Sequence, residues 1–99
     1  MRYINLVYDD NYDDVDILLV PDFVAENVED TSSKFLSWLN VSENQQRFLI
    51  VLEDGRQILG VETEGFLWWL NNVMINHGPK AKIIKQHTHI VLGYPNVEF

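Results

Sequence analysis

The 99-residue chain contains no cysteine, only three prolines and no long run of apolar residues. Without cysteine it can form no disulfide, thiolate metal site or thiol nucleophile. No stretch approaches the roughly 18 apolar residues of a membrane span. Residues 1–6 alternate between polar and apolar, unlike the apolar stretch of a signal peptide. We therefore expect a cytoplasmic protein that makes no membrane contact.

Basic residues are scarce, and the shortage is confined to one end of the chain. Residues 1–30 contain nine acids and one base, whereas residues 31–99 contain six of each, so the N-terminal third carries the whole net charge of −8. Affinity for polyanions comes from phosphate neutralisation by Lys and Arg, so direct nucleic-acid binding is disfavoured. A field of one sign on a small domain favours a basic partner instead.

Length and composition indicate one folded domain over residues 1–99. The chain is 46% hydrophobic and 22% charged, which is too apolar for a disordered protein. A chain of this length supplies one compact core.

Hydrophobic spacing predicts a strand at the N-terminus followed by the order β-α-β-β-α-β. The run Val15–Val20 is apolar almost throughout, which indicates a central strand covered on both faces, with Asp16 near its exposed end. The expected strands are 3–8, 15–20, 48–53, 56–62 and 81–92, and the expected helices are 22–40 and 63–77.

Asp54-Gly55 between two β-rich runs is the clearest local signal. It is typical of a two-residue type I′ turn, whose central residues both need positive φ. That turn places Glu53 opposite Arg56 and Val51 opposite Ile58.

Two six-residue segments resemble each other. Residues 35–40 and 66–71 match at five of six positions, each in an expected helix followed by a strand. They indicate either a half-repeat or two amphipathic helices that converged on ordinary core residues.

We predict an α+β fold of the ferredoxin-like βαββαβ type, with two helices on one face of an antiparallel sheet and an extra N-terminal strand.

The acidic segment, residues 9–16, and one tryptophan are the candidates for partner binding. Trp68 lies about 100° from the apolar stripe of its helix, and exposed tryptophans are favoured contact anchors. The expected partner-binding residues are Asp9, Asp10, Tyr12, Asp13, Asp14, Asp16, Glu26 and Trp68.

Two weaker patterns suggest metal sites. Asp9, Asn11 and Asp13 follow the spacing of a calcium loop, but the positions that need Gly and Glu hold Asp14 and Val20. His87 and His89 are two apart on an expected strand, with His77 a conceivable third ligand, but Lys85 would repel a cation. We assign neither a metal nor a cofactor.

Catalytic motifs are absent from the sequence. There is no Gly-rich phosphate loop, no serine elbow between glycines and no HExxH helix. We assign no catalytic residue and favour a protein that is not an enzyme.

Three functions follow from these observations. The first is a small acidic interaction module of the inhibitor, immunity, antitoxin or nucleic-acid-mimic class, which binds a basic protein partner. The second is a small-ligand sensor or enzyme that uses a pocket between helices and sheet with His87 and His89. The third is a homo-oligomeric domain, such as a homodimer, that buries an open sheet face.

Overall fold

The computed structural model describes residues 1–60 and 62–99 and shows a mixed α+β fold. A four-stranded sheet has the order β5-β2-β1-β6, and β3 pairs with β4 in a separate two-stranded sheet. The strands are β1 (Arg2–Val7), β2 (Val15–Val20), β3 (Leu49–Val51), β4 (Gln57–Leu59), β5 (Lys82–Thr88) and β6 (Asn96–Glu98).

The helices are short. They are α1 (Asp22–Glu26), α2 (Val28–Leu39), α3 (Ser42–Gln45) and α4 (Thr63–Trp69); a 3₁₀ turn, Gln46–Phe48, follows α3, and a π-helical turn, Leu70–Met74, continues α4. Within the described ranges, no helix has the length and apolar character needed to cross a bilayer.

The expected helix boundaries were partly wrong. The helix expected over 22–40 is interrupted at Asn27, whose φ of −133° is not helical. Asp22 lies inside α1, and its carboxylate pairs with the amino group of Met1 at 2.9 Å. The second helical segment ends at Met74, before His77.

β2 is central, as its apolar sequence predicted. It pairs antiparallel with both β1 and β5, and five of its six residues are buried. Asp16 was expected near an exposed end, but it is only 7% exposed. β2 itself therefore holds a carboxyl group inside the fold.

The ferredoxin-like topology is not confirmed. That arrangement needs the hairpin strands to lie in the same sheet as the other two, whereas β3 and β4 form their own sheet. The N-terminal strand β1, expected as an added edge strand or as an extension of the first strand of that fold, is an interior strand between β2 and β6. β1 also pairs in parallel with β6, so the sheet is mixed and not purely antiparallel.

The hairpin is present, but its predicted register was wrong by one residue. The pairs are Ile50 with Ile58 and Val51 with Gln57. Leu52 donates its N–H to Arg56 O and accepts the N–H of Gly55, so the loop has three residues, 53–55. Of the two residues expected in a type I′ turn only Gly55 has a positive φ, 85°, which is the geometry of a type I turn closed by a left-handed residue. The predicted strand 56–62 also includes Val61, which lies outside the described residues.

One face of the four-stranded sheet packs against the helices. Ile4 and Leu6 of β1 and Leu18 and Val20 of β2 are fully buried on this face. An aromatic cluster lies above them: Phe35 contacts Phe66 with ring centroids 5.2 Å apart. The two similar segments of the sequence thus pack against each other through their first residues.

The opposite face of the sheet is covered by the connection between β5 and β6. Asn5 is fully buried there, and its side-chain amide donates to Val91 O at 3.0 Å and to Asn96 Oδ1 at 2.9 Å. The Asn5 Oδ1 atom accepts the N–H of Val91 at 3.1 Å. Tyr94 stacks on Tyr3 with centroids 5.5 Å apart. A buried amide whose bonds are satisfied therefore fixes the C-terminal segment on the sheet.

Candidate functional site

An open cleft of about 440 Å³ lies where the first residues of β2 and of α4 meet the end of β5. Four of its side chains are carboxylates. The lining residues are Tyr8, Asp14, Asp16, Glu62, Thr63, Glu64, Gln86 and His87.

A chain of hydrogen bonds forms the floor of this cleft. Thr63 Oγ1 donates a hydrogen bond to Asp16 Oδ2. Tyr8 Oη lies 3.2 Å from Thr63 Oγ1, and because the threonine proton is used by the carboxylate, the tyrosine must donate. Burial raises the pKa of Tyr8 to about 12, so its hydroxyl keeps the proton that it donates.

His87 is placed by an irregularity in β5. The pairing of β2 with β5 shifts register between Val15 and Ile17, opposite residues 86 and 87. His87 has a φ of 54°, a conformation that non-glycine residues rarely adopt. Its N–H donates to Asp16 Oδ1 at 3.0 Å. The bulge re-aims the His87 ring, and the Asp16 carboxylate fixes the bulged backbone.

The two histidines hold the acidic loop against β5. His87 Nδ1 lies 2.9 Å from Asp14 Oδ1, and His89 Nδ1 lies 3.4 Å from Asp13 Oδ1. The hydrogen bond to Asp14 and the charge of its carboxylate raise the pKa of His87. The main chain adds a further tie, since Ile90 N–H donates to Tyr12 O at 3.0 Å.

Lys and Arg side chains do not neutralise the acidic segment. Among the described residues, no Lys or Arg forms an ion pair with any acid of residues 9–16. Lys80 donates instead to the carbonyls of Asn71 and Ile75. Arg47 lies over the ring of Trp68, 4.2 Å from its centroid. The cleft therefore keeps an excess of acidic groups, with four carboxyl groups against one histidine in its lining.

The structure brings together three of the eight residues expected to bind a partner. Asp14 and Asp16 line the cleft, and Asp13 is next to them. Asp9 and Asp10 are exposed at the turn after β1 with φ of 51° and 55°. These five side chains belong to one stretch of chain, but Asp16 faces inward.

The other three expected residues lie apart from the cleft lining. Tyr12 is exposed and donates to Glu98 Oε1 at 2.6 Å, which raises its pKa. Glu26 is exposed at the last position of α1 and lines no part of the cleft. Trp68 is half-buried and lines a separate groove between the β3–β4 hairpin and α4.

Sequence reasoning missed Tyr8, Thr63, Glu62 and Glu64 as site residues. Thr63 is the first residue of α4, and its hydroxyl bonds Asp16, while the helix has no side-chain cap. Only the docking of α4 on the end of the sheet brings these groups to Asp16. The sequence contained one signal of this site, which was the polar residue Asp16 inside the otherwise apolar run 15–20.

The two metal patterns do not converge in the fold. His87 and His89 pair with different carboxylates, and His77 is exposed in the loop after the π-helical turn. Over residues 1–60 and 62–99 there is no group of three or more His, Asp or Glu side chains arranged to hold a metal ion.

An apolar groove of about 390 Å³ lies on the other side of Glu62 and Glu64, between the hairpin and α4. Its walls include Phe48, Ile50 and Trp68. Gly65 allows this packing, because a Cβ there would come within 2.5 Å of the Phe48 ring. Glu62 and Glu64 line both cavities, so the cleft and the groove are neighbours.

Comparison of the chain with protein-family models, with curated proteins and with solved structures found no match.

Proposed function

We propose that this chain is a small cytoplasmic interaction module of the inhibitor, immunity, antitoxin or nucleic-acid-mimic class, and that it binds a basic protein partner. The acidic cleft and the loop beside it receive a Lys or Arg side chain of that partner. The observation that carries the proposal is the set of four carboxylates around one cleft, with no Lys or Arg paired to the acidic segment among the described residues.

The geometry supports this assignment in a second way. Asp16 is held in place by Thr63 and by the backbone of His87, so one of the four carboxylates of the cleft has a fixed position. A preorganised acceptor binds a cation without first having to be ordered. Fixed carboxylates also steer a cationic partner during encounter.

The test begins with capture of partners on the immobilised protein at low salt and elution at high salt. The affinity of the captured partner is then measured for two triple variants that remove equal charge. One changes Asp14→Asn, Glu62→Gln and Glu64→Gln in the cleft, and the other changes Glu29→Gln, Glu43→Gln and Glu53→Gln outside it.

We expect the cleft variant to bind at least roughly tenfold more weakly than the control variant, because close charge pairs contribute more than distant ones. Equal losses of affinity in the two variants would show that the partner does not bind at the cleft, and this would overturn the assignment of the cleft. Binding that salt does not weaken would overturn the proposal as a whole.

A small cationic ligand is the second candidate, favoured by the size of the cleft, which falls within the range of small-molecule sites. His87 lines the cleft but His89 does not, so a ligand-binding role would depend on His87. A His87→Gln variant that loses a small amine ligand while it retains partner binding would favour this function over the first. Unchanged amine binding in that variant, or none in the parent protein, would exclude it.

A further inference from the structure

The apolar groove beside the acidic cleft is the strongest feature that the proposed function does not use. Its wall on β3 includes Ile50, which is 40% exposed. Trp68 forms another wall, and its ring is held by the Arg47 guanidinium. A surface groove with apolar walls can bury an apolar side chain of a binding partner.

Charge distinguishes between a second copy of the chain and a basic partner as the occupant of the groove. Glu62 and Glu64 stand on the rim that it shares with the acidic cleft, and Arg47 is the cation among its lining residues. A two-fold dimer would place the same patch of both copies in one interface. The carboxylates of two chains, each with a net charge of −8, would then repel one another.

We propose that the groove receives an apolar side chain of the basic partner, adjacent in that partner to the Lys or Arg that enters the cleft. The inference rests on the proposed function and adds its recognition rule: a basic residue and an apolar residue close together, one on each side of Glu62 and Glu64. Binding hot spots are enriched in arginine and in aromatic side chains that fill pockets, which suits a basic residue in the cleft and an anchor in the groove.

Three short synthetic peptides test this rule. The first is acetyl-Leu-Gly-Arg-Gly-Leu-amide, which has an apolar residue on each side so that either chain direction fits. The basic control replaces both Leu by Gly, and the apolar control replaces Arg by Gln. Each is titrated into the ¹⁵N-labelled full chain at low salt, and backbone amide and indole shifts are followed.

We expect the basic control to shift Thr63 and His87 alone, and the first peptide to shift Gly65 and the Trp68 indole as well. The added leucine contacts should tighten binding roughly threefold to tenfold. Ile50→Thr should remove that gain. Val51→Thr is the matched control, because Val51 is on the same strand, 65% exposed, and outside the groove lining.

The possible failures are distinguishable. If the first peptide and the basic control bind equally and neither shifts the groove, the inference is overturned while the proposed function stands. If the basic control shifts nothing in the cleft, the cation site of the proposed function fails, and the inference fails with it. A concentration-dependent dimer in ultracentrifugation that Ile50→Thr abolishes would assign the groove to a second copy and overturn the inference.

Discussion

The Asp16 carboxylate and the backbone N–H of His87 are joined by a 3.0 Å hydrogen bond across the bulge between β2 and β5. The same carboxylate accepts the hydroxyl of Thr63 at the start of α4. One buried acid therefore connects the sheet, the helix and the irregular end of β5. The cleft depends on this connection, because it positions both His87 and Thr63.

Loss of the Thr63 hydroxyl should destabilise the fold. In Thr63→Val the shape is kept, but Asp16 loses a donor and Tyr8 loses an acceptor. We expect the free energy of unfolding to fall by about 1–3 kcal/mol in urea denaturation, the usual cost of unsatisfied buried polar groups. Thr63→Ser keeps the hydroxyl and should cost less than Thr63→Val; the reverse order would refute this account.

The left-handed conformation of His87 should determine which residues are tolerated there. Both His87→Gly and His87→Val remove the ring and its contact with Asp14, so they differ in backbone preference. Glycine adopts a φ of 54° without strain, whereas β-branched valine does not. We expect the valine variant to be less stable by roughly 1 kcal/mol or more in thermal or urea unfolding. Equal stabilities would mean that the bulge relaxes.

Partner binding should strengthen as pH rises through the pKa of His87. Asp14 raises that pKa above the ordinary 6.5, so at lower pH the imidazolium partly cancels the charge of Asp14. The ion pair itself stabilises the fold below pH 6.5 and is lost as pH rises through the folded-state pKa.

NMR titration of the His87 ring, with calorimetry of partner binding across the same pH range, measures both effects. In Asp14→Asn the pKa of His87 should fall toward the ordinary value, and in Glu29→Gln it should not change. An unchanged pKa of His87 in Asp14→Asn would contradict the assignment of its cause.

Alkaline conditions should destabilise the fold through Tyr8. Its pKa is raised from 10.0 to about 12 by burial, so the protonated form is favoured in the folded state. The stabilisation is fully present below pH 10 and is lost as pH rises toward 12. Urea unfolding at several alkaline pH values should show this loss, and Tyr8→Phe should reduce it. Tyr3→Phe is the control, because Tyr3 is 42% exposed and lies outside the cleft lining.

The acidic loop should control the salt dependence of partner binding. Changing Asp9, Asp10, Asp13 and Asp14 to Asn should flatten the decrease in affinity with salt. Glu26→Gln removes a charge at the end of α1, outside both cavities, and should change affinity by less than about twofold. Affinities from calorimetry at several salt concentrations test both. A larger effect of Glu26 than of the loop would place the interface on α1.

Local patterns in the sequence predicted much of the secondary structure. The apolar run 15–20 predicted a central strand, and the Asp54-Gly55 pair predicted a hairpin; both are present. The turn type was wrong because a type I turn followed by left-handed Gly55 suits the same dipeptide. One extra loop residue then shifts every cross-strand pair.

Sheet order was beyond the reach of local patterns. The choice between β1 and a hairpin strand as the neighbour of β2 depends on pairings between residues far apart in sequence. The parallel pairing of β1 with β6 joins segments near the two ends of the chain. β6 has only three residues, too few to show the alternation of polar and apolar residues that predicts a strand.

The sequence alone determined the acidic character of residues 1–30 and the apolar faces that build the core, because charge and spacing are properties of the chain itself. Only the tertiary structure decided that Asp16 is buried, that His87 and His89 contact separate acids, and that Glu62 and Glu64 stand between a cleft and a groove. The physical reason is that a site is made by side chains from separate elements, and their meeting depends on how α4 packs against the end of the sheet.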